Sequence, residues 1–139
     1  MALDLIIVED DFKFRRHLTL VAEEDGLNVN YFALGRELLN YFSRGGEPAN
    51  HYLVGFVGPT IGEEEGLRIP EGQRIYRLLH ERAISFQSYS IMSNSESLGE
   101  ASRVFPQQDF SDITNLPWLD KSTTDFIEYV EKIAAAKQQ

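Results

Sequence analysis

Three consecutive acids, Glu9, Asp10 and Asp11, follow an apolar run near the N-terminus, and Lys121 closes the motif WLDK far along the chain. Adjacent carboxylates are hard oxygen donors, Lys121 adds an ammonium group, and Ser93 in the motif IMSN adds a hydroxyl. The bland reading is a solvated turn in which Asp11 caps a helix and Lys121 merely pairs with Glu9 or Asp10. Other chemistry is poorly supplied. Cysteine is absent, which excludes disulfides, thiol nucleophiles and Cys-based metal sites. His17, His51 and His80 fall on a helix, a linker and a helix without ligand spacing, and GLRIPEG lacks the pattern of a phosphate-binding loop. The run Glu63 to Glu65 reads as a solvated loop.

The elements that position these residues follow from hydrophobic periodicity. Leu5 to Val8 is a continuous apolar run, the mark of a strand covered on both faces. Phe14, Leu18, Val21 and Ala22 then recur at helical spacing, with Asp11 to start that helix and Gly26 to end it. LNVNYFA alternates with a period of two, GRELLNYFS is amphipathic, and YLVGFV reads as a third strand. A loop over 59–72 leads to a helix through Ile75, Leu78 and Leu79, then a strand FQSYSIM and a helix ESLGEASRVF. A short strand over Pro117, Trp118 and Leu119 precedes a last helix predicted to begin at Ser122, with Asp125 completing an approximate capping box. Strands alternating with helices predict an α/β fold, a doubly wound five-stranded parallel sheet with right-handed crossovers. The 139 residues have room for one domain, taken as 1–139.

Sites in such sheets form where the strands end. This order of elements places Glu9, Asp10 and Asp11 after the first strand, Gly58 after the third, Ser93 and Asn94 after the fourth and Lys121 after the fifth. The constellation resembles the receiver domain of two-component response regulators. VEDD is similar to that family's acidic pair, IMSN to its fourth-strand motif ending in Ser or Thr, and WLDK to its fifth-strand motif ending in Lys. The resemblance covers essentially the whole chain. It implies a flavodoxin-like sheet of order 2-1-3-4-5, with Glu9 and Asp10 as metal ligands, Ser93 as the hydroxyl and Lys121 as the cation.

The family's phosphoacceptor Asp on the third strand has no counterpart. Aligning Gly66 on the family's glycine puts Gly58 at the acceptor position, whereas aligning Pro59 on its proline puts Gly55 there, and neither carries a carboxylate. The expectation is a degenerate pseudo-receiver: not an enzyme, requiring no cofactor, and binding Mg²⁺ weakly at most. It would act in signal transduction as a phosphorylation-independent protein-interaction module. The alternatives are a receiver inactivated by substitution or using a non-standard acceptor such as Asp10 or Asp11, and a small-molecule or anion sensor beside Lys121.

Receivers resemble one another in using the fourth helix, fifth strand and fifth helix for targets and dimers. Arg103, Trp118 and Tyr129 are thus the interface candidates here, for a partner protein or a homodimer. A net charge of −9 argues against nucleic acid and anionic membranes. MALDLIIVEDD lacks the basic start and apolar length of a signal peptide or membrane span, which with the absence of cysteine suits a cytoplasmic address. The last helix ends the sequence, so a stand-alone module or an excised fragment would signal through another protein.

Overall fold

In the computed structural model, residues 3–55, 71–93, 116–121 and 123–138 are described. Five parallel strands, β1 (Leu3–Val8), β2 (Val29–Phe32), β3 (Ala49–Gly55), β4 (Ser88–Ser93) and β5 (Trp118–Asp120), lie in the order β2-β1-β3-β4-β5. This is the order expected from the sequence. The helices are α1 (Phe12–Glu24), α2 (Gly35–Ser43), α3 (Glu71–Glu81) and α4 (Asp125–Lys137), the last being the fifth of the sequence-predicted helices. The predicted helix over 96–105 lies outside the described residues, and Arg103 with it.

Alternation along the strands divides the core into two layers. Ile6, Val8, Tyr52, Val54, Tyr89 and Ile91 face α2 and α3, packing with Leu38, Ile75 and Leu79. Their neighbours Leu5, Ile7, Leu53 and Met92 face α1 and α4, packing with Leu18, Ala22, Phe126 and Val130. The apolar run of β1 is therefore buried on both sides, as its lack of alternation requires.

Local signals set the ends. Asp11 accepts the Phe14 N–H at 3.2 Å and caps α1, and Gly26 leaves the helix at φ +82°. The start of α4 differs from the sequence reading. Helix begins at Asp125, after a turn in which the Asp125 carboxylate accepts the Asp120 N–H and the Thr123 hydroxyl accepts the Asp125 N–H. Asp125 thus fastens the end of β5, and Ser122 lies outside the described residues. His51 lies in β3 and not in a linker, with Nδ1 2.7 Å from Ser88 Oγ.

Candidate functional site

β1, β3, β4 and β5 end side by side at Val8, Gly55, Ser93 and Asp120, in the register Val8↔Val54, Gly55↔Met92 and Ser93↔Asp120. Whatever follows β1 and β5 must meet above β3. Glu9 and Lys121 do so. Lys121 Nζ lies 2.8 Å from Glu9 Oε1, with the Glu9 side chain fully buried and that of Lys121 17% exposed. The Asp11 N–H also donates to Oε1, at 3.1 Å, and the Arg15 guanidinium donates to the Glu9 carbonyl at 2.7 Å. Glu9 is thus held both at its carboxylate and at its main-chain carbonyl. Lys121 also stands over the Phe14 ring, 5.2 Å from its centroid.

The second oxygen, Glu9 Oε2, is buried without a hydrogen-bond partner. A Cβ added at Gly55 would stand 3.0 Å from it, tighter than ordinary van der Waals contact. Gly55 is needed here for space, since its φ is not positive. Burial pushes the pKa of Glu9 above its ordinary value, Asp10 pushes the same way, and Lys121 with the Asp11 N–H pulls against them.

Glu71, the first residue of α3, falls in the sequence reading within the loop over 59–72, where an acid reads as solvated; the helix in fact begins at Glu71. It is buried, with Oε2 unpartnered, and its carboxyl is raised to about 7. Burial is the leading cause, partly offset by the Gly35 N–H, and the negative charges of Asp10, Glu9 and Glu37 add to it. No sequence pattern announces that an acid at this position faces the strand ends.

Of the residues singled out in the sequence, Glu9 and Lys121 are in direct contact, and Asp10 adjoins them, exposed. Ser93 ends β4 beside β5, described through its backbone alone. Gly58 and Asn94 lie outside the described residues. Trp118 is half-buried and packs on the α2–α3 side of the sheet. Tyr129 packs on the α1–α4 side, where its hydroxyl lies 2.7 Å from Ser88 Oγ and donates to the Tyr52 carbonyl at 3.3 Å. These two interface candidates therefore lie on opposite faces of the sheet: alternation along β5 sends Trp118 and Leu119 to opposite faces, and Tyr129 belongs with Leu119.

The fold family implies Mg²⁺ at such an edge, and the described residues do not fit it. One Glu9 oxygen is held by an ammonium, Gly55 brings no oxygen from its side chain, and no group of three acidic or histidine side chains among the described residues could hold an ion.

No family model and no curated protein sequence matches the chain. Solved structures do. A CheY-like response regulator receiver domain protein from Methanospirillum hungatei JF-1 superposes with a TM-score of 0.66 at 16% identity, over 99% of this chain and 98% of that one. Chemotaxis response regulator CheY4 of Vibrio cholerae gives 0.68 at 12% identity, over 96% and 99%. The Francisella response regulator 1452 receiver domain gives 0.65 at 14%, over 97% and 98%. The chain has the CheY-like, flavodoxin-like receiver fold.

Proposed function

We propose that the chain is a pseudo-receiver: a signalling module with the receiver fold that binds a partner protein without being phosphorylated. The observation that carries this reading is the Glu9–Lys121 ion pair lying over Gly55. A receiver needs a carboxylate on the third strand as nucleophile and a lysine ready for the phosphoryl oxygens. Here the strand ends in glycine, and the lysine is satisfied by a carboxylate from β1. Of the two glycines that could mark the acceptor position, Gly55 is supported by its contact with Glu9 and by the β1–β3 register.

The same pair speaks against an anion sensor, since a ligand at Lys121 would first have to displace a buried carboxylate at 2.8 Å. Mg²⁺ binding is weak at most on this reading, and the module is not an enzyme. No helix among the described residues is long and apolar enough to cross a membrane, and a cytoplasmic address accords with the proposal. The partner surface includes β5 with half-buried Trp118, the predicted helix over 96–105 and the outer face of α4. Tyr129 contributes to it only by holding α4 on the sheet.

The test is incubation with a small phosphodonor and Mg²⁺, followed by intact mass. No stable gain of a phosphoryl group is expected. A gain that maps to Asp10 or Asp11 would replace this proposal with a receiver using a non-standard acceptor.

A further inference from the structure

At the opposite flank of the sheet, the surface has a character that folding does not account for. Among the described residues the large hydrophobic side chains left exposed are Phe12 (62%), Leu20 (48%) and Tyr31 (52%). All three line one groove of about 340 Å³ between α1 and the edge strand β2, together with Arg15, Arg16, Thr19 and Glu23. Scattered exposed hydrophobics are ordinary, whereas a cluster rimmed by charge marks a contact surface.

The groove is built in advance of any ligand. The Arg15 guanidinium carbon lies 5.5 Å from the Phe12 ring centroid and 5.9 Å from that of Tyr31, so the cation bridges the two rings. Its Nη1 is tied to the Glu9 carbonyl. A guanidinium fixed by rings and a main-chain bond loses little further freedom when a carboxylate arrives.

The charge pattern of α1 points the same way. Its first turn holds no acid and its last turn no base; Lys13, Arg15 and Arg16 come early, and Glu23 and Glu24 come last. That order opposes the helix macrodipole, which favours acids at the N-terminus and bases at the C-terminus. Helix stability therefore gives no reason for this basic cluster, on a chain whose net charge is −9. An acidic partner repelled by the rest of the surface is attracted at this place.

Strand addition at β2 fits less well, because the Tyr31 N–H is already taken by the Asn30 side chain at 2.9 Å. What remains is recognition by side chains. We propose that the α1–β2 face docks an acidic amphipathic helix of another protein, with its apolar residues on Phe12, Leu20 and Tyr31 and its carboxylates on Arg15 and Arg16. Aromatic and arginine side chains are the types that carry most binding energy in such contacts. The inference does not rest on the pseudo-receiver reading, and a phosphorylated chain would present the same groove.

The probe is a fluorescent synthetic peptide of about five helical turns, with leucines at helical spacing on one face and glutamates elsewhere. Its counterpart carries lysine in place of every glutamate. Fluorescence anisotropy should show saturable binding of the acidic peptide that weakens as salt rises, and binding of the lysine peptide weaker by roughly tenfold or more. Arg16→Glu and Leu20→Asp, both at exposed positions, should each weaken the acidic peptide by roughly tenfold while circular dichroism and melting temperature stay unchanged. The proposal is overturned if the acidic peptide does not bind, if both peptides bind alike, or if binding ignores both substitutions. It is equally overturned if sedimentation shows a homodimer that Leu20→Asp dissolves, since the groove would then be covered by a second copy.

Discussion

Replacing Lys121 with methionine removes the ammonium and keeps the apolar stem, leaving Glu9 buried with Oε1 held only by the Asp11 N–H and Oε2 unpartnered. Breaking a buried pair by removing one member costs about 3–5 kcal/mol; Lys121 is partly exposed and Glu9 can take up a proton, so we expect about 2–3 kcal/mol near pH 7.5. In urea denaturation the midpoint should fall without a change of slope, and in thermal melts each kcal/mol should lower the midpoint by about 3–5 °C. The pH dependence is the sharper signature. Glu9 already has a folded-state pKa above its ordinary value of 4.5, and losing Lys121 removes one of the influences holding it down. A group with a raised folded pKa favours the native state at low pH and gives up that contribution as pH rises through the folded value. The deficit of Lys121→Met should therefore be small near pH 4.5 and grow with pH, and adding Glu9→Gln should recover most of it. A cost below about 0.5 kcal/mol near pH 7.5, or one equal at both pH values, would refute the view that this pair holds the site.

Gly55→Asp should destabilise by about 2–4 kcal/mol near neutral pH, because it brings a second carboxylate against buried Glu9. Adding Glu9→Asp withdraws the first carboxylate by one methylene, and the double variant should regain stability and show Mg²⁺ heats by calorimetry that neither single variant shows. A stable Gly55→Asp would mean that Glu9 does not occupy this space. Glu71, raised from 4.5 to about 7, favours the native state below its ordinary pKa and loses that contribution as pH climbs through about 7. Glu71→Gln should leave stability near pH 4.5 almost unchanged and raise it by about 2–3 kcal/mol near pH 8, and equal wild-type and variant urea profiles would exclude that burial. Tyr129→Phe should cost about 1 kcal/mol for its hydroxyl bonds to Ser88 and Tyr52, and Tyr129→Ala about 3–5 kcal/mol in thermal melts. Lost partner binding at an unchanged melting temperature would instead make Tyr129 a contact residue.

The strands were legible from short apolar or alternating runs bounded by turn residues, and their order from the receiver resemblance. Boundaries were less so. The sequence reading of β3 starts at Tyr52, but pairing with Leu3 and Leu5 draws in Ala49 and His51, whose polar neighbours carry no strand signal. Two glycines three residues apart gave two registers for the missing acceptor, since a one-dimensional pattern has no means of choosing between them. The cross-strand partner Val8↔Val54 places Gly55 beside Glu9, and Gly58 lies outside the described residues. The Glu9–Lys121 pair was anticipated, as both residues follow strands that end at the same edge of the sheet. The burial of Glu71 and the bridging position of Arg15 were not, because each depends on which face of a helix meets the strand ends.

Glu9 and Gly55 are best understood together. Glycine at the end of β3 leaves room for a side chain to enter from β1, and glutamate is long enough to fill it while still reaching the lysine from β5. Had Gly55 alone replaced a carboxylate, Lys121 would face a buried edge without a counter-ion; had Glu9 alone come so close, it would collide with whatever Cβ stood at 55. Each residue removes the cost of the other, so the edge stays neutralised and the two core layers remain as the strand pattern requires. On the pseudo-receiver reading, what this exchange gives up is the nucleophile, and with it any means by which a phosphoryl group would alter the lysine's partner. A ligand shifts a conformational equilibrium only through differential affinity for its states. On that reading, with Lys121 held by the protein's own carboxylate, control over this fold arrives through its outer surfaces, and Arg15 of the α1–β2 groove is bonded to the Glu9 carbonyl.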